Sequence, residues 1–278
     1  MLVNLNDVLK TAQKEKYAVG LFNTTDTDML EAVISAAEEL RSPVICGTAE
    51  VLLPFGELSL IAPAIVSAAK NATVPVVVHY DHGLTFKRCM EALKRGFSSV
   101  MFDGSAKSYA DNIAETAEIV KIAHSFGASV EGEIGHVGDT DKNEGEETDL
   151  YTTPKQAVDY LAATEVDALA VAIGTAHGAY KSKPKLDIKR LREIRAAVGV
   201  PLVLHGGSGL SDDDFRNCIE AGVSKVNIFT DLCLAGSAAM KKAAEQGIDY
   251  LNCRRQKVDA IREEVKKKLL LFGCAGKA

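Results

Sequence analysis

Val74-Pro75-Val76-Val77-Val78-His79-Tyr80-Asp81-His82-Gly83 is a β-branched run that ends directly on polar, chemistry-bearing residues. The same punctuation recurs downstream. His177 follows Ala168-Leu169-Ala170-Val171-Ala172-Ile173-Gly174-Thr175-Ala176, and His205 closes Val200-Pro201-Leu202-Val203-Leu204. Residues at strand C-terminal ends converge in space when the strands run parallel and close into a barrel. Three imidazoles converging on one point make a Zn²⁺ site with an open fourth position. That pattern points to metal-assisted chemistry on an oxygen-rich substrate.

Working outward, eight strand candidates centre on Ala18–Phe22, Val44–Cys46, Val74–Tyr80, Ser99–Phe102, Ser129–Glu133, Ala168–Ile173, Pro201–Leu204 and Lys225–Ile228. Helical stretches separate them, among them Asp28–Leu40, Phe86–Arg95, Asn112–Phe126, Pro154–Thr164, Ile188–Val198 and Asp212–Ala221. Ser211 and Thr153 stand where helix N-caps belong, and Gly96, Gly127 and Gly222 where helices should stop. Eight β-then-α units predict right-handed crossovers and an α/β fold, the (β/α)8 TIM barrel. A length of 278 residues suits one such barrel, and no Pro/Gly/Ser-rich linker divides it. Residues 1–278 therefore read as a single domain. Arg254–Phe272 reads as a C-terminal helical extension with Val258, Ile261, Val265 and Leu269 on one face, available to the barrel or to a second subunit.

The chain is 47% hydrophobic and 25% charged with a net charge of −6, so a sizeable core is expected and no basic field favours nucleic acid. Its first residues lack a signal-peptide pattern. Leu58–Ala69, the longest uncharged apolar stretch, is too short to span a bilayer. A cytoplasmic protein without a membrane partner is expected. The six cysteines form no CxxC pair, which fits reduced, buried thiols.

Polar groups follow nearly every strand candidate: Asn23, Thr48, Asp81 with His82, Asp103, Glu133 with His136, His177, His205 and Asn227. A lone histidine after a strand is more often a hydrogen-bonded structural residue. The coincidence of His82, His177 and His205 on three strand ends is what favours a metal. His79 reads as structural and His124 as a surface residue on a helix. Asp81, beside a ligand, could move a proton of a substrate hydroxyl or merely orient its neighbour. Gly206-Gly207-Ser208-Gly209 is a turn that offers backbone N–H groups and a hydroxyl to an anion, and barrels often bind phosphate after their last two strands. The stretch from His136 to Tyr151 is either a solvated acidic loop or a mobile catalytic lid.

Together, Tyr80-Asp81-His82-Gly83, Gly174-Thr175-Ala176-His177-Gly178-Ala179-Tyr180, Leu204-His205-Gly206-Gly207-Ser208-Gly209 and Lys225-Val226-Asn227-Ile228-Phe229-Thr230 resemble the motifs of class II, zinc-dependent ketose-phosphate aldolases, which include fructose- and tagatose-bisphosphate aldolases. The likeness runs from about Ala18 to the C-terminus. It implies catalytic Zn²⁺ on His82, His177 and His205, with Asp103 and Glu133 at an alternative metal position. It implies Asp81 as acid/base on the C4 hydroxyl, Asn227 at the enediolate end, and Gly178, Gly206, Ser208 and Thr230 around the phosphate. Asn23 and Arg254 are further candidate substrate contacts. A monovalent cation, Na⁺ or K⁺, near Gly178 and Gly206 is implied as well. A loop acid, foremost Asp141 or Glu144, with Glu146 and Glu147 as alternatives, would protonate C3.

The chain departs from the bisphosphate enzymes at the distal substrate end and the lid. Ala49 replaces a serine, Phe229 stands where Asp, Asn or Ala is frequent, and Asn252-Cys253-Arg254-Arg255 replaces Asp-Pro-Arg-Lys. Gly138-Asp139-Thr140-Asp141 replaces Gly-Gly-x-Glu-Asp. The expectation is an aldolase that cleaves a ketose 1-phosphate or 1,6-bisphosphate between C3 and C4, giving dihydroxyacetone phosphate and an aldehyde, and working as a homodimer or homotetramer. A metal-dependent hydrolase on the same barrel would need a His-x-His where Phe22-Asn23-Thr24-Thr25 stands. A non-catalytic sugar-phosphate-binding barrel would not need Asp81.

Overall fold

Eight parallel strands close on one another. Numbered with every other strand in chain order, the staves are β2 (Val19–Asn23), β3 (Val44–Ala49), β4 (Val76–Gly83), β5 (Ser99–Phe102), β6 (Ser129–Ile134), β8 (Ala168–Val171), β10 (Leu202–Leu204) and β11 (Val223–Ile228). Their spatial order is β4-β3-β2-β11-β10-β8-β6-β5, and β5 pairs back to β4. This computed structural model describes residues 1–135, 138–139, 151–178 and 184–278. Every predicted strand is present within a few residues of its expected limits. Three two-residue strands were not expected. β1 (Leu2–Val3) pairs with the start of β4, and β7 (Gly138–Asp139) pairs with β9 (Ala176–His177) above the barrel.

Strand alternation explains the interior. Along β4, β6 and β11 the pairs His79/Asp81, Glu131/Glu133 and Lys225/Asn227 point inward and are buried, while residues such as Val78, Val130 and Val226 pack outward into the apolar layer beneath the helices. The N-terminal mouth is covered by α1 (Leu5–Glu15), which touches β2, β6 and β11. Its start is set by a capping box between Asn4 and Asp7. The cavity therefore opens at the C-terminal strand ends.

The other helices are α2 (Thr27–Glu39), α3 (Leu58–Asn71), α4 (Phe86–Lys94), α5 (Tyr109–Ser125), α6 (Pro154–Thr164), α7 (Ile188–Ala197), α8 (Asp212–Glu220), α9 (Thr230–Glu245) and α10 (Tyr250–Leu271). Thr153 and Ser211 cap as expected, each in a capping box. Gly96, Gly127 and Gly222 take positive φ after α4, α5 and α8. Three helices had no sequence expectation. α1 is short, α3 contains Pro63, and α9 follows β11 without a side-chain cap. Pro63 removes one backbone donor, yet the apolar face of Leu58, Ile61, Ala62 and Ile65 holds α3 against the barrel.

The C-terminal helix begins earlier than expected, at Tyr250, where Asp249 caps it. Val258, Ile261, Val265 and Leu269 are buried, and α10 packs on α2 and α9 of its own chain. All six cysteines are free thiols. No helix of the described residues is long and apolar enough to cross a membrane.

Candidate active site

A cavity of about 500 Å³ occupies the C-terminal mouth. Nearly every stave contributes to it: Asn23, Ala49, Asp81, His82, Glu133, Asn227 and the turn Gly206–Ser208, with Asp103 just after β5 and His177 in β9.

The three histidines meet there. Ring centroids of His82 lie 4.9 Å from His177 and 4.5 Å from His205, and their nitrogens fall within 4.8 Å of one another. His82 is brought in by a backbone irregularity. Its φ is +43°, a left-handed conformation at the end of β4, and the β4–β5 register shifts between Tyr80 and Gly83. Adjacent strand residues point oppositely, so this turn is what lets Asp81 and His82 share one cavity.

The ring nitrogens are divided in a telling way. His82 Nδ1 lies 2.6 Å from Asp103 Oδ2, and His205 Nε2 lies 2.8 Å from Glu131 Oε1. A carboxylate accepts only, so both of these nitrogens carry the proton. The remaining nitrogens, His82 Nε2 and His205 Nδ1, face each other at 2.7 Å. Two ring nitrogens this close need a positive charge between them, a shared proton in the metal-free protein or a metal ion in its place. Glu133 adds a carboxylate Oε2 that is buried without a hydrogen-bond partner, 3.4 Å from His205 Nδ1. A divalent metal fits this donor set, and an orienting carboxylate behind each imidazole is the usual support of such ligands. His82, Asp103 and Glu133 form a second group able to hold a metal, overlapping the first.

The electrostatics agree. Burial disfavours charge on His82, but Asp81, Asp103 and Glu133 around it push its pKa up to about 10. Burial, then repulsion by His82 and His205, takes His177 down to about 3. The cluster thus attracts positive charge but concentrates it at one place. Glu133 is pushed up by burial and by the neighbouring Asp103.

Asp81 is fixed on both oxygens. Asn23 Nδ2 donates to Oδ2 at 2.7 Å and Asn227 Nδ2 donates to Oδ1 at 3.0 Å. Burial opposes its charge, but His82, Lys225, His205 and His79 overcome this and hold the carboxyl well below the ordinary range. A charged, buried carboxylate at the cavity floor, with both oxygens already oriented, is placed to accept a proton from a substrate hydroxyl.

Behind this layer lies a buried ion pair with no sequence expectation. Lys225 Nζ is 2.8 Å from Glu131 Oε2 and donates to Asn227 Oδ1 at 2.8 Å. Burial raises the Glu131 carboxyl, but Lys225 and His205 bring it down to about 2. Removing one member of a buried pair costs about 3–5 kcal/mol. His79, expected to be structural, bonds Ser99 Oγ through Nδ1 at 2.7 Å, and its Nε2 is 3.8 Å from both Asp81 and Glu131. Period-two alternation in Ser129–Ile134 and Val223–Ile228 could have placed Glu131 and Lys225 inside the barrel.

The expected phosphate residues also line the cavity. Gly178, Gly206, Ser208 and Thr230 stand around its β10–β11 side. Gly206 has φ +65°, and a Cβ there would lie 2.4 Å from the Ala176 carbonyl oxygen, so only glycine lets the turn lie against that backbone. Ser208 Oγ accepts from the backbone N–H groups of Phe229 at 3.3 Å and Asp231 at 3.4 Å. Its hydroxyl hydrogen is then available to an anion at the start of α9.

Apolar side chains complete the lining: Ala49, Val51, Leu52, Leu84, Ala106 and Phe229. No Lys or Arg of the described residues lines the cavity. Arg254 does not reach it within the chain. Its guanidinium pairs instead with Asp28 and Glu31 of α2, each at 2.7 Å. Asp141 and Glu144, with Glu146, Glu147 and His136, lie outside the described residues. His124 is on α5, half-exposed, and pairs with Asp167 at 2.9 Å.

A closed (β/α)8 barrel whose C-terminal mouth joins three imidazoles, an oriented carboxylate and a glycine-rich turn fits an enzyme of the aldolase type. The family model of class-II fructose-bisphosphate aldolases matches residues 3–277, and the chain belongs to that family. It is an aldehyde-lyase of class II. The chain is 40% identical over 279 residues to the protein YdjI of Escherichia coli K12, with 100% of both chains covered. It is 36% identical over 283 residues to the fructose-bisphosphate aldolase of Geobacillus stearothermophilus, covering 100% of this chain and 99% of that one. The crystal structure of the YdjI aldolase superposes with a TM-score of 0.92 at 38% identity, covering all of both chains.

Proposed function

We propose that the protein is a zinc-dependent aldolase that reversibly cleaves a ketose 1-phosphate between C3 and C4, releasing dihydroxyacetone phosphate and an aldehyde. The observation that carries this reading is Asp81, held by Asn23 and Asn227 in the same cavity as His82, His177 and His205. A Zn²⁺ held by the three histidines would supply Lewis-acid polarisation of the substrate ketone. Asp81 takes the C4 hydroxyl proton. The C4 oxygen then forms the aldehyde carbonyl as the C3–C4 bond breaks, and its electron pair moves onto C3 and the C2 carbonyl. Asn227 contacts that developing enediolate, and an acid of the 136–151 stretch, Asp141 or Glu144, returns a proton to C3. Gly178, Gly206, Ser208 and Thr230 hold the phosphate, with Na⁺ or K⁺ near Gly178 and Gly206. Asp103 and Glu133 serve as an alternative metal position.

The apolar side chains of Ala49, Leu84 and Phe229, with no Lys or Arg among the described lining residues, favour a far end bearing a hydroxyl, carboxylate or small apolar group over a second phosphate. A dianion needs several charge-assisted bonds to replace its water. We place the enzyme in the cytoplasm as a homodimer or homotetramer. The deciding experiment pairs zinc analysis of the purified protein with a retro-aldol assay for dihydroxyacetone phosphate on a panel of ketose 1-phosphates and 1,6-bisphosphates. Zinc with no release from any ketose phosphate would reject the reading.

A further inference from the structure

Lys225 is fully buried on β11, inside the barrel and below Asn227. Its ammonium makes two contacts that lead to the two halves of the site. The first is to Asn227 Oδ1 at 2.8 Å. An amide has one accepting and one donating end, and an ammonium only donates. Lys225 therefore claims the oxygen and leaves Nδ2 facing Asp81, where it donates at 3.0 Å. A flipped amide would set its oxygen against the Asp81 carboxylate, two acceptors facing each other.

The second contact is the 2.8 Å ion pair with Glu131 Oε2. The other oxygen of Glu131 accepts from His205 Nε2 at 2.8 Å. That bond fixes which nitrogen of His205 carries hydrogen and leaves Nδ1 turned toward His82. His79, Asp81 and Glu131 could by themselves hold a metal ion. The Lys225 ammonium supplies the cation on that side of the cluster, so carboxylates of the inner layer are compensated by the chain.

We propose that Lys225 is a positioning residue that sets Asp81 through Asn227 and His205 through Glu131, coupling the proton acceptor and the metal-ligand set to one buried ammonium. This rests on the reading of Asp81 and the three histidines given above. A lysine that only completes the fold would change stability and nothing else.

The test uses the full chain with Lys225→Met and with the pair Lys225→Met/Glu131→Gln. The pair removes both charges together, so it remains folded where the single change leaves Glu131 uncompensated. Zn²⁺ affinity, measured without substrate by competition with a chromogenic chelator, should fall about 10–100-fold in Lys225→Met, the usual effect of losing support behind a ligand. With the ketose phosphate the wild type cleaves, kcat should fall about 10–100-fold while KM stays within about threefold. The pair should regain most of the Zn²⁺ affinity, since an amide oxygen still accepts from His205, yet keep the low kcat because Asn227 has lost its anchor. Native kcat in the folded pair, or native Zn²⁺ affinity in folded Lys225→Met, overturns the proposal. Should the wild type cleave no ketose phosphate, the aldolase reading fails and Zn²⁺ affinity alone decides: unchanged overturns, weakened supports.

Discussion

His82 Nε2 and His205 Nδ1 face each other at 2.7 Å, and each ring gives its other nitrogen to a carboxylate, Asp103 for His82 and Glu131 for His205. The two carboxylates are accepting neighbours that keep a hydrogen on the ring nitrogen each of them faces. The convergence is therefore built in before any metal arrives, and the cost of ordering the ligands falls on folding rather than on binding.

Metal binding should release protons. His82, with its pKa up at about 10, holds a proton at neutral pH that the metal must displace. Apparent Zn²⁺ affinity of the metal-free protein should rise by about tenfold per pH unit between about pH 7 and 9. Calorimetry in buffers of different ionisation enthalpy should count about one proton released. His177→Ala should lose metal and activity together. A pH-independent affinity contradicts the assignment of His82.

Asp81→Ala should retain Zn²⁺ and substrate binding and lose about 10²–10⁴-fold in kcat, the range for a positioned acid/base. Stopped-flow turnover with metal content checked in parallel measures it. An unchanged kcat would reduce Asp81 to a residue that merely orients its neighbours.

Ser208→Ala removes the one side-chain hydroxyl of the Gly206–Gly209 turn. A hydrogen bond to a charged oxygen is worth roughly 1.5–3 kcal/mol. KM for a phosphorylated ketose should rise accordingly, with kcat little changed. Equal cleavage of a non-phosphorylated ketose by the native enzyme would dismiss the phosphate site.

Substrate preference should follow the apolar lining. Ketose 1-phosphates with a small or uncharged far end should have higher kcat/KM than fructose 1,6-bisphosphate. A bisphosphate ahead by tenfold, about 1.4 kcal/mol, would show that Ala49 and Phe229 do not set the choice.

The stability of the metal-free protein should peak near neutral pH. His79 and His177 are both held down at about 3, and Glu131 at about 2. Their contribution is complete above the ordinary values of 6.5 and 4.5 and is lost as pH falls toward those low values. His82 acts in the opposite sense. Its contribution is complete below 6.5 and is lost as pH rises toward about 10. Urea midpoints across pH 4–10 should trace a dome, and His79→Gln should flatten its acid limb. An unaltered acid limb would remove His79 from the account.

Much of this was legible in the sequence. The eight staves were recoverable because each is a short apolar or alternating run set between helical stretches, and strand ends in a parallel barrel share one face. That rule alone brings His82, His177 and His205 together. α3 was less visible because Pro63 and a uniform apolar composition blur the helical period. Arg254 is a different case. Its motif suggests a substrate contact, but tertiary packing sets it beside Asp28 and Glu31 on α2.

The sequence by itself determined the barrel, the convergence of the three histidines, the place of Asp81 and the Gly206–Gly209 turn, since each depends on local alternation or on position at a strand end. Only the tertiary structure decided how these residues are held. The left-handed turn at His82, the two amides on Asp81 and the Lys225–Glu131 pair join strands far apart in the chain. The physical reason is that a charged side chain is kept inside a barrel only by its partners, and those partners are chosen by closure across the barrel rather than by neighbours in sequence.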